Sequence, residues 1–132
     1  EEISGCGIAA CAVLAGVPYA ESKRQANDLG IHAEDPRLWS YTDSVRRLAE
    51  RLGLVLEAGE QSFERWDALP DRALLAIKWR LEGGQPFWHW VVFVRVAGQP
   101  VVLDSKKALR HNRRTDFGRI KPKWFIAVGP SS

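Results

Sequence analysis

Ile8, Cys11, Ala12 and Ala15 recur at the i, i+3, i+4, i+7 spacing of one helical face, so residues 7–15 are predicted to form a helix that Gly16 ends. Small residues on this segment permit close packing. A second helix is expected over Tyr19–Leu29 with Gly30 as its stop, and a third from Thr42 as N-cap through Val45, Leu48, Ala49 and Leu52 to Gly53. Residues 31–41 between them read as a loop. The second half of the chain changes period. Leu54–Glu57 resembles a short strand, and Phe63–Leu69 a turn of helix or a loop before Pro70. Ala73–Leu81, Phe87–Val96, Val101–Asp104 and Trp124–Val128 are rich in Val, Ile, Phe and Trp and lie between Gly and Pro punctuation, which predicts strands. Helices followed by an antiparallel meander give an α+β fold class, with the N-terminal helices packed on one side of an antiparallel β-sheet.

A length of 132 residues with 45% apolar content suits one domain, 1–132, with one core. The longest apolar run, Trp88–Val94, is interrupted by His89 and stopped by Arg95, far short of the roughly 20 residues of a membrane span, so no membrane span is expected. The chain opens with Glu-Glu and contains no Met, from which a fragment or processed product is expected and no localisation can be read. The net charge of +3 is unevenly placed. Lys106, Lys107, Arg110, Arg113, Arg114 and Arg119 have only Asp116 among them, a patch that fits either an anionic partner or a solvated basic loop. It carries neither aromatic platforms nor a helix aimed at a groove, and nucleic acid is not expected as a partner.

The candidate chemistry begins with two cysteines. Cys6 and Cys11 sit five apart in one predicted helix, too far for a disulfide that needs Cα atoms within about 7 Å. No neighbouring His or third Cys gives them a zinc spacing. Cys6 stands between Gly5 and Gly7 where the helix starts, a position at which unpaired backbone N–H groups and the helix dipole favour a thiolate. Position alone leaves both a nucleophile and a packed thiol open. Cys11, on the apolar face with Ile8, reads as core. His32 and His111 lie in polar segments and read as surface residues.

His89 interrupts the most apolar stretch, FWHWVVFV, where an imidazole needs a partner. If Phe87–Val96 and Val101–Asp104 form a hairpin with a two- or four-residue loop, facing residues have an odd sum. Asp104 then faces Val91 or Phe93 and shares a sheet face with His89. A loop of odd length would separate the two. Trp88 and Trp90 fall on the opposite face, as core. Asp104 before Ser105 also fits a turn-capping carboxylate. A thiol at a helix start, with a His and an Asp on neighbouring strands, has the composition of nucleophile, base and orienting group.

The stretch SGCGIAACAVLAGVPYAE resembles the start of the bacteriocin-processing (double-glycine leader) peptidases, papain-like enzymes in which a Cys-Gly pair opens an Ala-rich helix. The later HWVVFVRVAGQPVVLDS is similar to that family's second block, in which a His begins a hydrophobic strand and an Asp ends the next. The resemblance implies a papain-like fold, with Cys6 as nucleophile, His89 as base and Asp104 as orienting group. It implies a cysteine hydrolase, peptidase or amidase, that acts on a peptide or protein substrate through a thioester and requires no cofactor or metal. One departure stands out. The family carries a Gln several residues before the Cys that helps form the oxyanion hole, and none of residues 1–5 is Gln. Either that Gln lies just upstream of residue 1, or it is absent and the Cys6 backbone N–H acts alone, in which case one lost oxyanion donor costs roughly a hundred- to a thousandfold in rate. The alternatives that follow are a bacterial effector-type deamidase or acyltransferase of the same fold, and a catalytically inactive module that binds peptides or proteins in the same groove.

Overall fold

A computed structural model of the chain describes residues 6–32, 42–104 and 113–129. The elements run α1 (Cys6–Ala15), α2 (Tyr19–Asp28), α3 (Asp43–Arg51), β1 (Gln61–Ser62), a 3-10 turn (Trp66–Ala68), β2 (Arg72–Glu82), β3 (Gln85–Val96), β4 (Gln99–Leu103), β5 (Arg113–Arg114) and β6 (Trp124–Ala127). The strands form one antiparallel sheet in the order β1-β6-β2-β3-β4-β5. Among the described residues, three helices and a six-stranded antiparallel sheet make the protein α+β. Among the described residues no helix is long and apolar enough to cross a membrane. The basic positions Lys106, Lys107, Arg110 and His111, and most of the expected 31–41 loop with Trp39, lie outside the described residues.

The sheet separates two apolar layers. On one face α1, α2 and α3 pack with Ile8, Cys11, Ala26, Val45 and Leu48 against Leu74, Trp90, Val92 and Ile126. The other face holds Leu75, Ile77, Val91, Phe93 and Val102 beneath Ile120 and Leu69. Strand residues alternate between these layers, as the period of two requires. Each fully buried Leu, Ile or Val contributes on the order of 1.5–3 kcal/mol. Helix α1 departs from the one-faced pattern read in the sequence: Cys6 to Ala12 and Leu14 are all buried. It is the central helix, contacting α2, α3 and β3, and a helix apolar on every side belongs inside. Gly16, at φ +73, turns the chain out of it so that the Val17 N–H bonds the Ala12 carbonyl at 3.0 Å. Arg72 then ties its C-terminal end to the sheet by donating to Leu14 O at 2.7 Å and to Gly129 O at 3.1 Å.

Two expectations are corrected. Thr42 precedes α3 but makes no side-chain capping bond, because its hydroxyl turns to Glu60 at 3.4 Å. Leu54–Glu57 is no strand; Leu56 alone bridges to Val128.

Two tight hairpins set the registers that matter for the site. Gly83–Gly84 joins β2 to β3 and Ala97–Gly98 joins β3 to β4, all four residues at positive φ, the signature of turns that match strand twist. The β3–β4 pairs run from Val96↔Gln99 to Val92↔Leu103, the odd sum of a two-residue loop. One step further places Asp104 beside Val91. Strand β2 carries a bulge: after Ile77↔His89 the next pair is Arg80↔Phe87, so Lys78 and Trp79 together oppose Trp88. Lys78 occupies this bulge at φ +55, an uncommon conformation for a residue with a side chain.

Candidate active site

Cys6 is the first residue of α1 and is 6% exposed. The N–H groups of the first helical turn have no partner within the helix, so the thiol sits at the positive end of the helix dipole. Its reach to the sheet follows from where β4 ends. In a two-residue hairpin the flanking pair Val96–Gln99 exchanges hydrogen bonds, so the N–H groups of Val96, Val94, Val92 and Trp90 all point toward β4. Strand β4 stops at Leu103, opposite Val92, and the Trp90 N–H is the first beyond it. That N–H donates to Cys6 Sγ at 3.4 Å. The thiol thus lies at the flank of β3, between the two faces of the sheet. Trp90 is held there by edge-to-face contacts with Trp88 and Trp124 at 5.9 and 5.3 Å, in the helix-side layer.

His89, one residue earlier, points to the opposite face. Its Nε2 lies 2.7 Å from Asp104 Oδ1, which leaves Nδ1 as the other ring nitrogen, and the Cys6 thiol is near enough to bear on its charge. The imidazole is 20% exposed. Burial opposes its charge, but the hydrogen bonds to Asp104 and then Cys6, with the charges of both, outweigh burial and raise the pKa from 6.5 to about 9. At neutral pH the ring is therefore an imidazolium that can donate from both nitrogens.

Asp104 is fully buried, and a buried carboxylate needs partners on both oxygens. Oδ1 meets His89, and Oδ2 accepts from Arg114 Nη1 at 3.0 Å. Arg114 in turn clasps Asp116 through Nε at 3.0 Å and Nη2 at 2.7 Å. Sequence reasoning counted Arg114 only as part of a basic patch; its bond to Asp104 depends on the two-residue strand β5, too short to leave a periodic signal. The backbone donor at Trp90 was also missed, because a backbone group has no residue signature.

The three residues singled out from sequence, Cys6, His89 and Asp104, are thus brought together in one line. Cys11 is fully buried, its thiol 3.7 Å from Val45 O, and burial pushes its pKa up to about 12. His32 is exposed and on a different part of the chain. Among the described residues no group of three or more His, Cys, Asp or Glu side chains is placed to hold a metal ion. No family model, no curated protein and no solved structure matches this chain.

Proposed function

We propose that the chain is a papain-like cysteine hydrolase that cleaves an amide of a peptide or protein substrate, with Cys6 as nucleophile, His89 as acid and base, and Asp104 as the orienting group. The observation that supports this reading is the line from the Cys6 thiol through His89 to a buried Asp104. The Cys6 sulfur, having given its proton to His89 Nδ1, attacks the amide carbonyl carbon. The carbonyl π pair moves onto oxygen. As the tetrahedral species collapses the C–N bond breaks, and the imidazolium delivers its proton to the leaving nitrogen. A thioester remains. Water attacks it, His89 takes the water proton, the C–S bond breaks and the acid is released. Asp104 holds Nε2 throughout, keeping Nδ1 toward sulfur. A Gln side chain or an acyl-accepting amine uses the same thioester, so deamidation and acyl transfer belong to the same chemistry.

A second reading is favoured by a specific observation. Cys6 is only 6% exposed, which suits a peptide-binding module without turnover. Iodoacetamide labelling of both cysteines, followed by mass spectrometry from pH 5 to 9, separates the two. The hydrolase reading expects Cys6 to react at least tenfold faster than Cys11 at pH 6–7 and His89→Ala to remove that advantage. Slow, equal labelling of both thiols, indifferent to the substitution, would sink it.

A further inference from the structure

A cavity of about 440 Å³ opens beside this site, lined by Ile77, Lys78, Trp79, Arg114 and residues 119–123. Five of the nine lining residues, Lys78, Arg114, Arg119, Lys121 and Lys123, are cationic and none is acidic. Arg114 is already balanced by Asp104 and Asp116. Among the described residues, no carboxylate forms a salt bridge with Lys78, Lys121 or Lys123, so the excess of positive charge stays unmatched.

The cations are held in place. The Lys123 ammonium lies 4.4 Å from the centre of the Trp79 ring, and Lys121 Nζ donates to Gly118 O at 3.1 Å. Lys78 is aimed by the β2 bulge at φ +55, and bulges re-aim side chains beside functional sites. Both walls of the cavity start next to the triad. Ile77 is the residue opposite His89 across β2–β3, and Arg114 is bonded to Asp104.

We infer that this cavity is an anion-recognition subsite: it takes a carboxylate or phosphate borne by the peptide whose amide Cys6 attacks, which makes the preferred substrate acidic or phosphorylated close to the reacting bond. Concave walls of one sign focus the field and concentrate a ligand of the opposite sign. The assignment of the anion to a substrate rests on the hydrolase reading; the binding of an anion does not.

Two measurements on the full chain and on a Lys121→Glu/Lys123→Glu variant test it. Both lysines are exposed, so the variant keeps its core. In the first, inorganic phosphate and acetate are titrated and followed by the amide shifts of Arg119 and Ile120. Saturable binding at millimolar or lower concentration, weakened at least tenfold in the variant, is expected, and the tighter of the two anions identifies the group as phosphate or carboxylate. Linear, unsaturated shifts, or equal binding by the variant, overturn the subsite. In the second, the alkylation rate of Cys6 by anionic iodoacetate is divided by that for neutral iodoacetamide. The ratio is expected to fall at least threefold in the variant while the iodoacetamide rate holds. An unchanged ratio overturns the link to the substrate path. Phosphate binding together with a Cys6 inert to iodoacetamide would instead remove the hydrolase reading and leave the anion site standing.

Discussion

Asp104→Asn is the substitution that weighs most on the proposed site. Two donors converge on this buried carboxylate, the imidazole from one side and the Arg114 guanidinium from the other. A carboxylate accepts from both, whereas an amide of the same shape must aim its NH₂ at one of them. The cost divides into two parts with different pH dependence. The part owed to Arg114 is constant, because guanidinium stays charged throughout; leaving a buried polar contact mismatched costs about 1–3 kcal/mol. The part owed to His89 titrates. A rise from 6.5 to about 9 corresponds to about 3 kcal/mol at 1.4 kcal/mol per tenfold, an upper figure for Asp104 because Cys6 supplies some of it. The folded-state pKa lies above the unfolded value, so this contribution is complete below pH 6.5 and is lost as the pH rises through about 9. The stability gap between wild type and Asp104→Asn is thus expected to be on the order of 3–5 kcal/mol at pH 6 and to shrink by about 2–3 kcal/mol by pH 9.5. Taking the gap between the two proteins cancels the common titration of other groups to first order. Urea unfolding followed by tryptophan fluorescence at half-unit pH steps measures it, and NMR of the imidazole carbons gives the pKa of His89 directly. A gap that stays flat or widens between pH 6.5 and 9.5, or a wild-type His89 that titrates at or below 6.5, would show that Asp104 does not hold the imidazole charged.

Ala97 opens a two-residue turn at φ +53, where an L side chain is strained and Asn is tolerated. Ala97→Asn is expected to stabilise by about 0.5–1 kcal/mol, read as a Tm rise of roughly 2–5 °C; a fall in Tm would argue against the turn and hence against the register that aligns His89 with Asp104. Arg72 makes charged hydrogen bonds to the end of α1 and to Gly129 O, so Arg72→Met is expected to cost on the order of 2–3 kcal/mol, with Tm lower by roughly 8–12 °C. A shift of less than about 2 °C in a differential scanning trace would mean that α1 is held by packing alone.

The parts of this structure legible in the sequence are those fixed over short range. The parity that puts His89 and Asp104 on one face needs only the period of two and a two-residue turn, both contained within residues 89–104. The helix after Cys6 follows from a local pattern that predicts residues 7–15, and the structure starts it one residue earlier, at Cys6 itself. What the residues could not give is where one element stops relative to another. Nothing in Leu103 announces that β4 ends opposite Val92, two residues short of Trp90, yet that termination leaves the N–H that meets the Cys6 sulfur. The same limit hid Arg114, which reaches Asp104 from a strand of two residues, and β1, an exposed Gln61–Ser62 pair with no apolar alternation. It also explains the over-reading of Leu54–Glu57, whose apolar residues are drawn inward at Leu54 and Leu56 while its pairing stops at the single bridge Leu56↔Val128. The thiol's setting is accordingly made by the sheet as much as by the helix. The helix start alone left Cys6 open to being a packed thiol; the N–H of Trp90 donates to its sulfur and the charged His89 stands beside it, two contacts that come from the sheet. Breaking the sheet contribution with His89→Ala is therefore expected to slow Cys6 labelling while α1 stays helical by circular dichroism, because the dipole of an intact helix is not sufficient by itself.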